Sequence, residues 1–250
     1  MRKISAALGV VGLLAFVIPV HADDDAKLRE VIARAIKVHG GMDKLTKLKA
    51  NVFKSKGKFY GLGEGLDYTE EFAIQLPKRF RIEVHSKAGD REFTFVQIYD
   101  GNKGWNKIGD KTEEMNKEML AEAKEDMNAA AVSHLIFLKD KEYKLSPLGA
   151  AKVGDRPTIG IRVARKGYRD VSLFFDKEKG LLVKMETRGQ DPRRGEEYTA
   201  TTLYDDYKKV EGVMVAHKIT IKHDGKRFVD GEMTEVKLSE KLGDSMFEKP

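Results

Sequence analysis

Cysteine is absent from all 250 residues. No disulfide can form, no thiol nucleophile or thiolate metal site exists, and no cysteine is available for lipid attachment. Tryptophan occurs once, as Trp105. The HExxH zinc pattern, the GxSxG elbow and the Walker A loop are missing as well. These gaps argue against the common hydrolases and nucleotide enzymes, so the chain is expected not to be an enzyme and to need no cofactor. Long runs of one charge sign are also lacking. The 46 basic and 40 acidic residues interleave, as in DKLTKLK and RKGYRD, for a net charge of +6. That pattern describes a solvated surface and gives no footprint for nucleic acid, leaving room only for weak attraction to anionic lipid head groups.

The one long apolar run, Ile4 to Val20, follows Arg2 and Lys3 and precedes VHA and the acids Asp23 to Asp25. This is the layout of a secretory signal peptide, residues 1–22, cleaved after Ala22; the run is short for a spanning helix. A single domain over residues 23–250, periplasmic or secreted, is the expected product. With no disulfide to staple it, its stability must come from buried apolar surface.

The stretch DDAKLREVIARAIKVHGG places Leu28, Val31, Ile32, Ala35 and Ile36 on one helical face and closes on Gly40-Gly41. A short helix through Leu45 and Leu48 follows. From Asn51 the apolar period changes to two, in segments such as VFKSKGKFY, RFRIEVH, REFTFVQIY, DVSLFF and VMVAHKITIKH, separated by turn signals such as DGNKG, DKEKG, VEG and HDG. Successive hairpins predict one continuous, strongly curved antiparallel sheet, hence an α+β class rather than parallel βαβ units. One helical insert interrupts it. Glu113 to Leu138 carries Met115, Met119, Ala123, Met127, Ala130, Ala131, His134 and Leu138 as an apolar stripe. Methionine is flexible and polarizable, which suits both an ordinary core and a surface that adapts to variable apolar shapes.

Candidate chemical sites dissolve on inspection of spacing. His217 and His223 share a strand face but stand about 20 Å apart, too far to ligate one ion, so no metal is expected. The glycines of GLGEG, residues 61–65, precede an alternating segment instead of a helix N-terminus and read as a turn. YDGNKGW reads likewise as a hairpin loop leading into the strand of Trp105. Glu70-Glu71 and Asp205-Asp206 are neighbours on strands and point to opposite faces. A tight acidic cluster in a polar cleft would be needed to revive an enzymatic reading.

The order helix, HGG, LPKRFRIEV, YDGNKGW, helical insert, LFFDKEKGLLVKM, YKKVEGVMVAHKI and final FEKP resembles the LolA-like periplasmic lipoprotein-sorting carriers and their exported relatives, from about Leu28 to Pro250. The resemblance implies a half-open β-barrel of about eleven strands, with helices laid over an apolar cavity that binds lipid or acyl chains without catalysis. One departure is visible: Leu76 stands before Pro77, where those carriers tend to place a basic residue.

The leading expectation is a carrier or binder of a lipid-like or acylated ligand, in lipoprotein or lipid trafficking. Its partners would be a lipid or the acyl chain of a lipoprotein, with transient contact to a membrane or envelope protein, and the protein would be a monomer. The expected lining is Phe72, Ile74, Phe80, Ile82, Phe93, Phe95, Leu173 and Phe175 from the sheet and Met115, Met119 and Met127 from the covering helix, with Arg79 and Arg81 placed to meet a head group. Trp105 is counted with the lining, although whether it points into the hollow is left open. The alternative is an envelope sensor or scaffold that binds a protein partner, which an exposed apolar patch on the convex face would favour.

Overall fold

The computed structural model describes residues 22–250 except 89, 90 and 193. The expected signal peptide therefore lies outside the described residues but for Ala22. The described chain begins with α1 (Ala22–His39) and α2 (Met42–Lys47), followed by β1 (Ala50–Phe59), β2 (Leu66–Gln75), β3 (Arg79–Ala88), β4 (Arg91–Tyr99), β5 (Gly104–Ile108) and β6 (Lys111–Glu114). Next come α3 (Lys117–Ser133) and a short 3-10 helix, Ile136–Lys139. The second run of strands is β7 (Tyr143–Val153), β8 (Arg156–Arg165), β9 (Val171–Asp176), β10 (Leu182–Gln190), β11 (Glu197–Val210), β12 (Val213–His223) and β13 (Lys226–Ser239), and a 3-10 turn, Asp244–Phe247, lies near the C-terminus.

All strands join one antiparallel sheet in the order β6-β5-β4-β3-β2-β1-β13-β12-β11-β10-β9-β8-β7. Among the described strands the only non-sequential neighbours are β1 and β13, so the last strand returns to pair with the first. The count is thirteen, not the expected eleven. Part of the excess is β6: its sequence KTEE has no apolar residue and alternates nothing, so it carries no strand signal of its own. The turns behave as their residues demand. Glu211-Gly212 and Asp224-Gly225 have positive φ at both positions, 51° and 84° in the first and 48° and 79° in the second, as two-residue hairpin turns require.

The helices explain the shape. α1 buries the expected face, Leu28, Ile32, Ala35 and Ile36, against inward residues of the β7–β9 half such as Leu145, Ile161, Leu173 and Phe175. α3 starts at Asn116, whose side-chain oxygen accepts the Met119 N–H at 2.9 Å. The expected helix 113–138 is thus cut at both ends: Glu113 and Glu114 pair in β6, and Leu135 at φ 70° breaks the helix before the 3-10 turn.

Two flanks of α3 touch opposite sides of the sheet. Ala123, Met127 and Ala131 pack on Ile74, Phe80 and Tyr99 of β2–β4, while Ala129 and Val132 belong to the core that contains Val171 and Leu173 of β9. Strands β4 and β9 are eight steps apart in the sheet order, about 38 Å if the sheet were flat. One helix about 10 Å wide reaches both sides only because the sheet curls around it. The edges β6 and β7 do not pair, so the curl stays open.

The strap is fastened on its β9–β10 side by polar contacts. Arg169 donates two bonds to the Glu122 carboxylate, at 2.6 and 2.8 Å, and Glu122 also accepts the Gln190 N–H at 3.0 Å. Burial works against the Glu122 charge, yet the bonds from Arg169 and Gln190 hold its carboxyl below the ordinary carboxylate range. Among the described residues no helix is long and apolar enough to cross a membrane.

Candidate functional site

The strand registers assign every position in β1–β4 to a face. Phe53 lies opposite Phe72, Phe72 opposite Ile82, Ile74 opposite Phe80, and Phe80 opposite Tyr99. These face α3. An aromatic ladder results, with centroid separations of 6.5 Å for Phe53–Phe72, 6.3 Å for Phe72–Phe80 and 6.0 Å for Phe80–Tyr99. Met119 and Met127 of α3 meet this ladder, together with Leu120 and Ala123. Ile74, Phe80, Met115 and Met127 are buried there, whereas Phe53, Phe72, Ile82 and Met119 are half-buried.

Beyond the ladder the inner face continues outside the packed clusters. Val84 and Phe95 pair with one another, and across β13 and β12 the same face carries Met233, Ile219 and Ile221, which oppose Ser55, Gly231 and Val229 in the register. All of these apolar side chains are half-buried and belong to none of the packed clusters. Apolar sheet surface left half-exposed inside a curl costs free energy in water that an apolar contact would recover.

Of the expected lining, then, Phe72, Ile74, Phe80, Ile82, Met119 and Met127 come together, and Phe95 adjoins them. Phe93 lies on the same face but at the exposed tip of β4, 36 % accessible. Met115 reaches the same cluster from the loop before α3, not from the helix, with its sulfur over Gly104. Leu173 and Phe175 need correction. They face inward, but α1 seals them at 0 % and 1 % exposure, so they have no surface to offer a ligand.

Trp105 also needs correction. It pairs with Ile98, on the face opposite Tyr99, and packs with Ile98, Val96, Leu242 and Phe247 under the C-terminal segment. Arg79 and Arg81 lie on that outer side as well: Arg79 stacks 4.6 Å over the Phe247 ring and pairs with Asp244 at 2.8 Å, and Arg81 pairs with Glu83. Neither reaches the hollow. The Trp105 emission should therefore stay unmoved when an amphiphile binds, and shift to the red in Phe247→Ala; a response to the amphiphile in the wild type would place the ligand on the outer face.

Sequence reasoning missed Phe53, Tyr99 and two carboxylates. Glu70 faces inward beside Ser55 and between Tyr68 and Phe72, while Glu71 faces out. Burial pushes the Glu70 carboxyl up to about 7, against the lowering effect of the Ser55 hydroxyl. Asp126 on α3 is open to solvent yet ringed by protein, and burial, with Glu122 next in effect, pushes its carboxyl up to about 6.

Asp126 lines a cleft of about 30 Å³ with Glu122, Glu125, Arg169 and Tyr198, room for about two waters. Glu122 and Glu125 already accept bonds from Arg169 there, the first from its guanidinium and the second from its backbone N–H. The outer face of the central strands is charged. Lys54 pairs with Glu235 and Lys58 with Asp67, each at 2.8 Å, and a groove of about 380 Å³ there includes Val52, Leu242 and Met246 among charged residues.

No protein-family model and no curated protein matches the sequence. Solved structures do match in fold. A LolA superfamily protein from Nitrosomonas europaea superposes at TM-score 0.57 with 13 % identity, over 88 % of this chain and 97 % of that one. A DUF1329 family protein from Desulfovibrio piger gives 0.56 and 10 %, over 88 % and 96 %. A domain named for outer membrane lipoprotein sorting, from Vibrio parahaemolyticus, gives 0.54 and 11 %, over 88 % and 95 %. The chain has a LolA-like fold.

Proposed function

We propose that this protein carries or binds a lipid-like, acylated ligand in the hollow between α3 and the uncovered inner face of the sheet. The observation that carries the reading is the half-buried apolar set from Phe53 and Phe72 through Ile82 and Phe95 to Ile219 and Ile221, continuous with a helix face that presents methionines. Burial gains about 0.8 kcal/mol per methylene, so a twelve-carbon chain gains about 9 kcal/mol. That is of the order of the ~4–15 kcal/mol lost in capturing a free molecule. Binding should therefore begin at medium chain length and tighten severalfold with each added carbon. Titration calorimetry with alkyl maltosides of eight to fourteen carbons, below their micelle concentrations, tests this; affinity independent of chain length, or no heat at any length, would sink the reading.

The lipoprotein-sorting name of one structural neighbour is consistent with such cargo. Export by cleavage after Ala22 would put the carrier in the periplasm or outside the cell, as a monomeric domain. Leu62, Phe93 and Ile108 stand exposed at the tips of neighbouring hairpins, where they could enter a membrane surface during exchange. A protein-binding scaffold is the second reading, and the outer groove beside Leu242 and Met246 is the feature that favours it. The charged outer face around that groove offers little of the broad apolar patch such a partner would need.

A further inference from the structure

The hollow has an unbalanced charge. In β1 the inward positions are Asn51, Phe53, Ser55 and Gly57, and Lys54, Lys56 and Lys58 alternate to the outside; Arg81 of β3 and Lys218 of β12 do the same. Glu70 alone puts a carboxylate on the inner wall of β2, and among the described residues it has no ion pair. Its lateral neighbours are Ser55 on β1 and Val84 on β3, its neighbours along the strand Tyr68 and Phe72. Asp126 of α3 lies apart from it, in the cleft shared with Glu122, Glu125, Arg169 and Tyr198. The inner wall thus sets a carboxylate among apolar groups, and the lysines of β1 and the arginines of β3 point away from it.

The Ser55 hydroxyl alone does not offset the burial of Glu70, so an ionised carboxylate in this wall stays costly until a cation meets it. One carboxylate and one hydroxyl are too few for a metal ion. The cation must also arrive on an apolar body, because Phe72 and Val84 flank the site. We infer that Glu70 receives the head group of the ligand, and that this ligand is an amphiphile with a primary ammonium head, whose N–H groups donate to Glu70 and to the Ser55 oxygen. The inference rests on the hollow being the ligand site and adds the class of head group, with Glu70 in the place expected of Arg79 and Arg81.

Calorimetric titration with three twelve-carbon amphiphiles, dodecylammonium, dodecanoate and dodecyl maltoside, separates the possibilities. At pH 8 Glu70 is ionised, and the wild type should bind dodecylammonium at least tenfold more tightly than either of the others. Glu70→Gln should bind dodecylammonium no more tightly than dodecyl maltoside, and a cooperative denaturant transition of the variant shows that it is folded. In the wild type the ammonium preference should fade as the pH drops from 8 to 5, through the raised range of Glu70, about 7. Tyr68 is the other titratable group coupled to Glu70, and it stays protonated throughout, pushed up to about 12 by burial. Equal affinities in the wild type, or a preference that survives in Glu70→Gln, would overturn the head-group assignment and leave the apolar hollow standing. Failure of all three to bind would overturn both.

Discussion

The double substitution Phe72→Ala with Ile82→Ala is expected to weaken binding of a twelve-carbon maltoside by thirtyfold or more while the protein stays folded. Both residues face α3 across one register position and both are half-buried, so part of each side chain belongs to the hollow and not to the packed interior. Losing ligand contact with two such side chains removes about 1.5 kcal/mol each, roughly tenfold per site. Because they touch, the pair should lose less than the product of the single changes. Stability should fall by only about 1–2 kcal/mol per site, below the cost at a sealed position, because a truncated half-exposed side chain leaves no closed cavity. Wild-type affinity in the double variant, measured by calorimetry alongside a denaturant titration, would place the ligand elsewhere.

Phe175→Ala is expected to behave in the opposite way. The ring is 1 % exposed beneath α1, packed among residues that include Leu173, Ile161 and Leu182. Emptying such a site costs the transfer free energy of the ring plus the cavity left behind, about 3–5 kcal/mol. In a domain of this size that lowers the melting temperature by about 10 °C. The variant that remains folded at low temperature should bind the maltoside as the wild type does. A variant of normal stability and weakened binding would show that the hollow extends under α1, contrary to the packing.

These two residues mark what the sequence discloses and what it withholds. Strands such as β3 were legible because Phe80, Ile82 and Val84 alternate with Arg79, Arg81 and Glu83, and a half-covered sheet needs that alternation. The face of α1 was legible for the same reason at a period of 3.6. Alternation separates two faces, however, and says nothing of what covers each. Phe72 and Phe175 carry the same pattern in sequence, yet one is open to the hollow and the other is sealed by a helix that folds back from a distant part of the chain. Trp105 was misplaced because its neighbours Leu242 and Phe247 come from the far end of the chain. β6 was missed because an edge strand needs no apolar residue. Glu70 was seen to point away from Glu71, but its isolation among apolar groups appears only when β1 and β3 are set beside it.

The central claim is that an amphiphile lies against the inner face of the sheet under α3. Photo-crosslinking with a twelve-carbon maltoside carrying a diazirine near its chain end, followed by peptide mapping, tests it most directly. The expected labels fall on the peptides of Phe53, Phe72, Ile82 and Met119 and are competed away by unlabelled maltoside. Labels confined to the outer groove around Leu242 and Met246, or labelling that competitor leaves unchanged, would contradict the claim.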